Sequence, residues 1–127
     1  MQKLEKIYEG KAKILYTTED PALLIQYFKD DATAFNAQKR VTIAEKGIMN
    51  NRIASKIFEH MASQGIETHF VERLNDREML VKRVSIVPLE VIVRNRAAGS
   101  LCRLLGLAEG THLACPTLEF CYKNDAL

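Results

Sequence analysis

Apolar and polar positions change period along the chain. Up to residue 40 the pattern is short and β-like. Residues 5–9 and 12–17 flank Gly10, and residues 23–29 follow the turn signal Asp20-Pro21. Residues 32–40 read as a loop or a short strand. Between residues 41 and 64 the period lengthens. Met49, Ile53, Ile57 and Met61 recur every fourth position beside Ile48, Phe58 and Ala62, which predicts an amphipathic helix ended by Gly65. Three more strands are predicted over residues 68–74, 78–84 and 87–96, the first two joined by a tight turn at Asn75-Asp76. Ser100 is placed to cap a short helix over residues 101–105 that Gly106 stops, and residues 118–123 form a last strand. Strands, one long helix, then strands again predict an α+β fold with a largely antiparallel sheet.

Composition narrows the function classes. The 127 residues carry 47% hydrophobic and 27% charged positions, the profile of a globular protein of one domain, or of one plus part of another. A net charge of +2 with scattered Lys and Arg, no Trp and few aromatic residues argues against a nucleic-acid partner. There is no apolar run of membrane-spanning length and no secretory h-region at the N-terminus, so a cytoplasmic location is expected. Cys102, Cys115 and Cys121 form no CxxC pair and read as reduced, buried small residues. His60, His69 and His112 lack metal-ligand spacing.

Three stretches carry candidate chemistry. In YEGKAK, a lone Gly10 lets the backbone approach a ligand, and Lys11 and Lys13 share strand parity, an arrangement suited to a polyphosphate. One glycine and two lysines are common, however, and a solvated hairpin accounts for them. In MLVKRVS, Lys82 stands among apolar neighbours, Leu80 and Val84 sharing its parity. Either an anion pairs with it, or it sits at a sheet edge and snorkels to water. In VPLEVIVRNRAAGS, strand parity puts Glu90, Ile92, Arg94 and Arg96 on one face and Leu89, Val91 and Val93 on the other. Glu90 and Arg94 lie roughly 13 Å apart at strand rise, so each needs its own partner. A carboxylate there suits magnesium, and a guanidinium suits a carboxylate or phosphate. A half-exposed strand with a solvated charged face is the plainer alternative, but it accounts less well for the small residues and Ser100 at a helix start, where anions bind readily. Asp30, Asp31 and Asn36 occupy a polar stretch near Lys39 and Arg40 that reads as a turn-rich loop.

Taken together, YEGKAK, DDATAFN, KGIMNN, GIETHF, LVK, VPLEVIVRNRAAGS and EFCYKND resemble the SAICAR synthetase family over the whole chain, PLEVIVRNRAAGS most specifically. The resemblance implies a small β-rich lobe like a kinase N-lobe over a larger α/β lobe, with ATP in the cleft between them. Residues 1–85 correspond to the first lobe and residues 86–127 to the start of the second. It implies a magnesium-dependent ligase that joins L-aspartate to the carboxylate of an aminoimidazole ribonucleotide (CAIR) at the expense of ATP, and a possible homo-oligomer. Carried over by position, Gly10, Lys11, Ala12 and Lys13 cover the ATP phosphates. Leu15, Leu24 and Val81 flank adenine, Lys82 lies near the nucleotide, and Ile86 and Val87 form the hinge. Glu90 serves the magnesium, Arg94, Gly99 and Ser100 hold CAIR, and Asn36 and Lys123 lie on the substrate side.

Asn36 stands where some members carry Asp, and Glu45 where glycine is common. The family's second half bears an Asp-x-Lys-x-Glu-x-Gly motif with further nucleotide and metal ligands, which is not among these residues. An inactive fragment with exposed apolar surface is the expectation that follows. A non-catalytic nucleotide-binding module is the alternative function. A kinase-like phosphotransferase is disfavoured, because HRD, DFG and a full glycine-rich loop are all missing.

Overall fold

A computed structural model of the protein describes residues 1–34 and 39–123. These fall into two compact units, Met1–Val84 and Ser85–Leu127. In the first, β1 (Lys6–Glu9), β2 (Lys13–Thr17), β3 (Leu23–Phe28), β6 (Phe70–Arg73) and β7 (Glu78–Lys82) form one antiparallel sheet in the order β1-β2-β3-β7-β6. A separate hairpin pairs β4 (Asp31–Ala34) with β5 (Lys39–Thr42), and α1 spans Lys46–Ser63. The α+β class expected from the pattern is the class observed.

Alternation along β3 and β7 builds the core. Leu24 pairs with Val81 and Gln26 with Met79, so these residues share the face turned toward α1. Leu24, Phe28, Met79 and Val81 form a buried cluster, with Leu15, Ala54, Phe58 and Phe70 packed against it. The rings of Phe58 and Phe70 stack at 5.5 Å between centroids. Ile25 and Leu80 are buried on the opposite face of the sheet.

The most buried line of the helix runs beside the apolar stripe that its period predicts. Gly47, Asn51 and Ser55 are its buried residues, while Met49, Ile53 and Ile57 remain 50%, 58% and 54% exposed. Phe58, from the same apolar set, packs against the core, and Ile53 and Ile57 line an open groove with Gln26 and Phe28, so the apolar stripe flanks the buried line rather than forming its centre. Close approach and hydrogen bonding outweigh apolar area here. A Cβ at Gly47 would lie 2.3 Å from the Phe28 carbonyl oxygen. The Asn51 amide donates to the Asn75 carbonyl at 2.8 Å and to that of Glu78 at 3.3 Å, which satisfies backbone groups at the β6–β7 turn. The helix also begins later than predicted, because the β-branched Val41 and Thr42 belong to β5. Glu45 precedes it at φ 64°, the one non-glycine residue in the left-handed region among those described.

The second unit contains β8 (Leu89–Arg96), α2 (Ser100–Leu105) and β9 (His112–Tyr122), the two strands forming an antiparallel ribbon. Leu89, Val91 and Val93 face Tyr122, Phe120 and Leu118 across the ribbon, and all six are exposed. Exposed apolar surface was the sequence expectation. Ala97 and Leu101 are the unit's buried hydrophobic residues among those described. β9 begins six residues before the expected start at 118. Pro116 hid it, and Pro is tolerated in a strand at an irregularity. The register slips there, since Arg94 pairs with Thr117 but Arg96 with His112. The extra residues of the irregularity lie on β9, and the Arg96 guanidinium donates to the Gly110 carbonyl at 3.1 Å. Two further expectations change. The cap of α2 is Gly99 (φ 58°, ψ −131°) rather than Ser100, which is the first helical residue. Cys115 is exposed, not buried. Gly106 closes α2 at φ 67°, as predicted. Among the described residues no helix is long and apolar enough to cross a membrane.

Candidate functional site

In the first unit, Gly10, Lys11 and Ala12 form a bend between β1 and β2, closed by the Gly10 amide donating to the Lys13 carbonyl at 2.8 Å. Lys11 is thus outside the strand, and the parity argument linking it to Lys13 does not hold. Lys11 is exposed and makes no ion pair among the described residues. Lys13 begins β2, where its register with Leu15 and Phe28 places it on the face toward α1. A Cβ at Gly10 would meet the Tyr8 hydroxyl at 2.8 Å, so a mobile ring limits this position.

Charged groups pin the bend. The Lys29 ammonium lies 2.9 Å from a Glu9 carboxylate oxygen and 3.1 Å from one of Asp31. Lys6 reaches the other Glu9 oxygen at 2.8 Å. Hydrogen bonds from Lys6 and then Lys29 lower the Glu9 carboxyl from 4.5 to about 2. Glu9, Gly10, Lys11, Lys29 and Arg40 line an open cavity of about 570 Å³. Next to it, Asp30 takes a two-pronged bond from Arg77 at 2.6 and 2.9 Å and accepts the Gly47 amide at 2.8 Å. Arg77, then the Gly47 amide, lowers the Asp30 carboxyl from 3.8 to about 2.

The remaining residues assigned to nucleotide binding differ in accessibility. Leu24 and Val81 belong to the core, whereas Leu15 is half-buried. Lys82 ends β7, is exposed, and pairs with Leu23, the face opposite Val81. It does not sit in a strand interior beside Val84, which lies past the strand end, and β7 is not an edge strand. Neither the buried-lysine nor the sheet-edge reading of Lys82 survives. It does line a cavity of about 560 Å³ with Phe58, Glu59, Ile66, Glu67 and Phe70. Ile86 and Val87 are 76% and 66% exposed. His69 sets its ring edge against Phe58 at 5.2 Å, and burial and then Lys13 push its pKa down, a packing role consistent with its lack of ligand spacing.

In the second unit, Glu90 and Arg94 lie on one face of β8, opposite Cys121 and Thr117. Glu90 is exposed and has no partner among the described residues. Arg94 has one: its guanidinium forms an ion pair with Glu119, diagonally across the ribbon. Glu119 was missed, although its place between Leu118 and Phe120 marks a polar residue facing away from an apolar stripe. The Thr117 hydroxyl, opposite Arg94, is buried with no hydrogen-bond partner. Gly99 brings its backbone to Arg94, a Cβ there lying 3.7 Å from Nη2. Ser100 is exposed at the start of α2, and Lys123 follows β9 with its amide donating to the Pro88 carbonyl at 2.9 Å. Asn36 lies outside the described residues. Those described hold no cluster of three or more His, Cys, Asp or Glu suited to a metal. A lone unpaired Glu90 fits magnesium only where nucleotide phosphates and water complete the shell, which is the ion's usual habit.

The SAICAR synthetase family model matches residues 6–127. Over all 127 residues the chain is 59% identical to the phosphoribosylaminoimidazole-succinocarboxamide synthase of Magnetococcus marinus, covering 52% of it. It is 59% identical to that of Sphingopyxis alaskensis, covering 49%. The crystal structure of the synthase from Ehrlichia chaffeensis superposes with a TM-score of 0.89 at 51% identity, over 96% of this chain and 52% of that one. A SAICAR synthetase (Type-2) in complex with ADP superposes with a TM-score of 0.83 at 43% identity, over 94% and 51%. The chain spans about half the length of the curated relatives it matches.

Proposed function

The chain belongs to the SAICAR synthetase family, and from that premise we propose that it forms the phosphate-handling part of an ATP-dependent carbon–nitrogen ligase of purine biosynthesis. The observation that carries this reading is the pinned Gly10–Ala12 bend with Lys11 unpaired beside an open cationic cavity. The ADP complex of a relative supports it.

The reaction follows from the chemistry of its substrates. The CAIR carboxylate is a poor electrophile. Its oxygen takes the γ-phosphoryl group of ATP, the bond to the β-phosphate breaks, and ADP leaves. The aspartate amine then attacks the acyl carbon, loses a proton and expels phosphate. The protein's task is to hold several anions together against their repulsion. Lys11, Lys13 and the backbone amides of Lys11 and Ala12 meet the phosphates, Leu15 offers apolar surface to the base, and Lys82, Ile86 and Val87 lie near the nucleotide. Arg94, Gly99 and Ser100 receive CAIR, with Asn36 and Lys123 on the substrate side. Glu90 is the residue that would hold a magnesium ion, which would supply positive charge to the transferring phosphoryl group. The setting we assign is the cytoplasm, and the assembly a homo-oligomer.

One observation favours the second reading, a nucleotide module without catalysis: Glu119 already occupies Arg94. Under the ligase reading, an anionic substrate displaces that carboxylate. Arg94→Ala should then weaken CAIR binding at least about tenfold, the scale of a lost charged hydrogen bond, and leave ADP affinity unchanged in calorimetric titrations. Equal loss of both ligands, or of neither, contradicts the assignment.

A further inference from the structure

We propose that Lys29 is a positioning residue that sets the Gly10–Ala12 bend for a polyphosphate; this rests on reading that bend as the phosphate site. Lys29 stands just beyond β3, and its side chain is only 11% exposed. It holds the bend at three places. Its amide donates to the Ala12 carbonyl at 2.8 Å. Its ammonium donates to the Gly10 carbonyl at 3.3 Å and to Glu9 at 2.9 Å.

The pattern has a clear physical consequence. Both carbonyls flanking Lys11 are turned toward Lys29, so they are not aimed at an incoming anion. A carbonyl oxygen or carboxylate facing a phosphate repels it. Lys29 also pairs with Asp31 and with Glu9, which lines the cavity beside Lys11 and Arg40, so the negative charge nearest an incoming anion is neutralised. Because two carboxylates already occupy its ammonium, Lys29 is poorly placed to serve as a phosphate ligand itself. Its work is done through the bend, and Lys11 is left without a carboxylate partner among the described residues to meet the ligand.

This separates the phosphate from the nucleoside. Lys29→Met should lower ADP affinity at least about tenfold, on the scale of charge-assisted bonds lost, and leave adenosine affinity unchanged. Lys29→Arg should restore most of the ADP affinity, because it keeps the charge and the donors. Calorimetry with ADP and chemical-shift titration with adenosine read the two arms on the full chain. Should Lys29→Met not fold, Lys29→Gln carries the same comparison. Unchanged ADP affinity in the variant, or equal loss of ADP and adenosine, overturns the role of Lys29 alone. No ADP binding by the unsubstituted chain overturns the phosphate-site reading, and this inference with it.

Discussion

The sheet of Met1–Val84 has a helix laid across it and a buried apolar cluster between the two layers, whereas the ribbon of β8 and β9 presents Leu89, Val91, Val93, Leu118, Phe120 and Tyr122 to solvent. The first arrangement gives its strands an interior. The second has little of one, and a two-stranded ribbon alone is marginal in water. Yet the ribbon carries the most family-specific stretch, VPLEVIVRNRAAGS, while the layered unit carries the less distinctive YEGKAK. Specificity of a motif and local structural support are therefore separable. Residues such as Arg94 can be held by a charged neighbour, Glu119, where apolar packing is sparse.

Core truncation gives the largest contrast. Met79 is fully buried, so Met79→Ala should cost about 3 kcal/mol in urea denaturation. Phe120→Ala, on the exposed ribbon face, should change stability by no more than about 0.5 kcal/mol. Comparable losses would erase the distinction between the units. A smaller effect sharpens it. Glu45 holds a left-handed conformation at φ 64° that glycine adopts without steric penalty. Glu45→Gly should stabilise the first unit by about 1 kcal/mol, raising its melting temperature by ~4–8 °C. A lower melting temperature would show that the Glu45 side chain supplies something that outweighs the strain.

Much of the fold was legible because period two and its breaks follow burial. β1, β2, β3, β6, β7 and β8 all fall within or close to the segments that alternation and turn residues marked. The face of α1 was only partly legible: Phe58 of its apolar set does pack on the core. Its apolar stripe is conspicuous, but the sheet accepts Gly47, Asn51 and Ser55, because a close backbone and an amide bridging to Asn75 and Glu78 fit there. Such preferences depend on which carbonyls the turn leaves open, and that is a tertiary fact. At the candidate site, Glu90 and Arg94 on one face could be read from parity. The Glu119 partner could not, because it depends on how β9 pairs with β8 around the irregularity at Pro116. Lys29 escaped notice for a related reason. A lysine at a strand end looks like any solvated charge until the strands bring Glu9, Gly10 and Asp31 to it. The glycine that the family resemblance leads one to expect at position 45 would suit the positive φ that precedes α1.

Amide hydrogen exchange with and without ADP tests the central claim most directly, that the layered unit supports a phosphate-binding bend of its own. The account predicts slow exchange in β3 and β7, fast exchange along β8 and β9, and new protection at Gly10–Lys13 when ADP is added. Protection appearing only on the ribbon, or none at the bend with ADP bound, would contradict it.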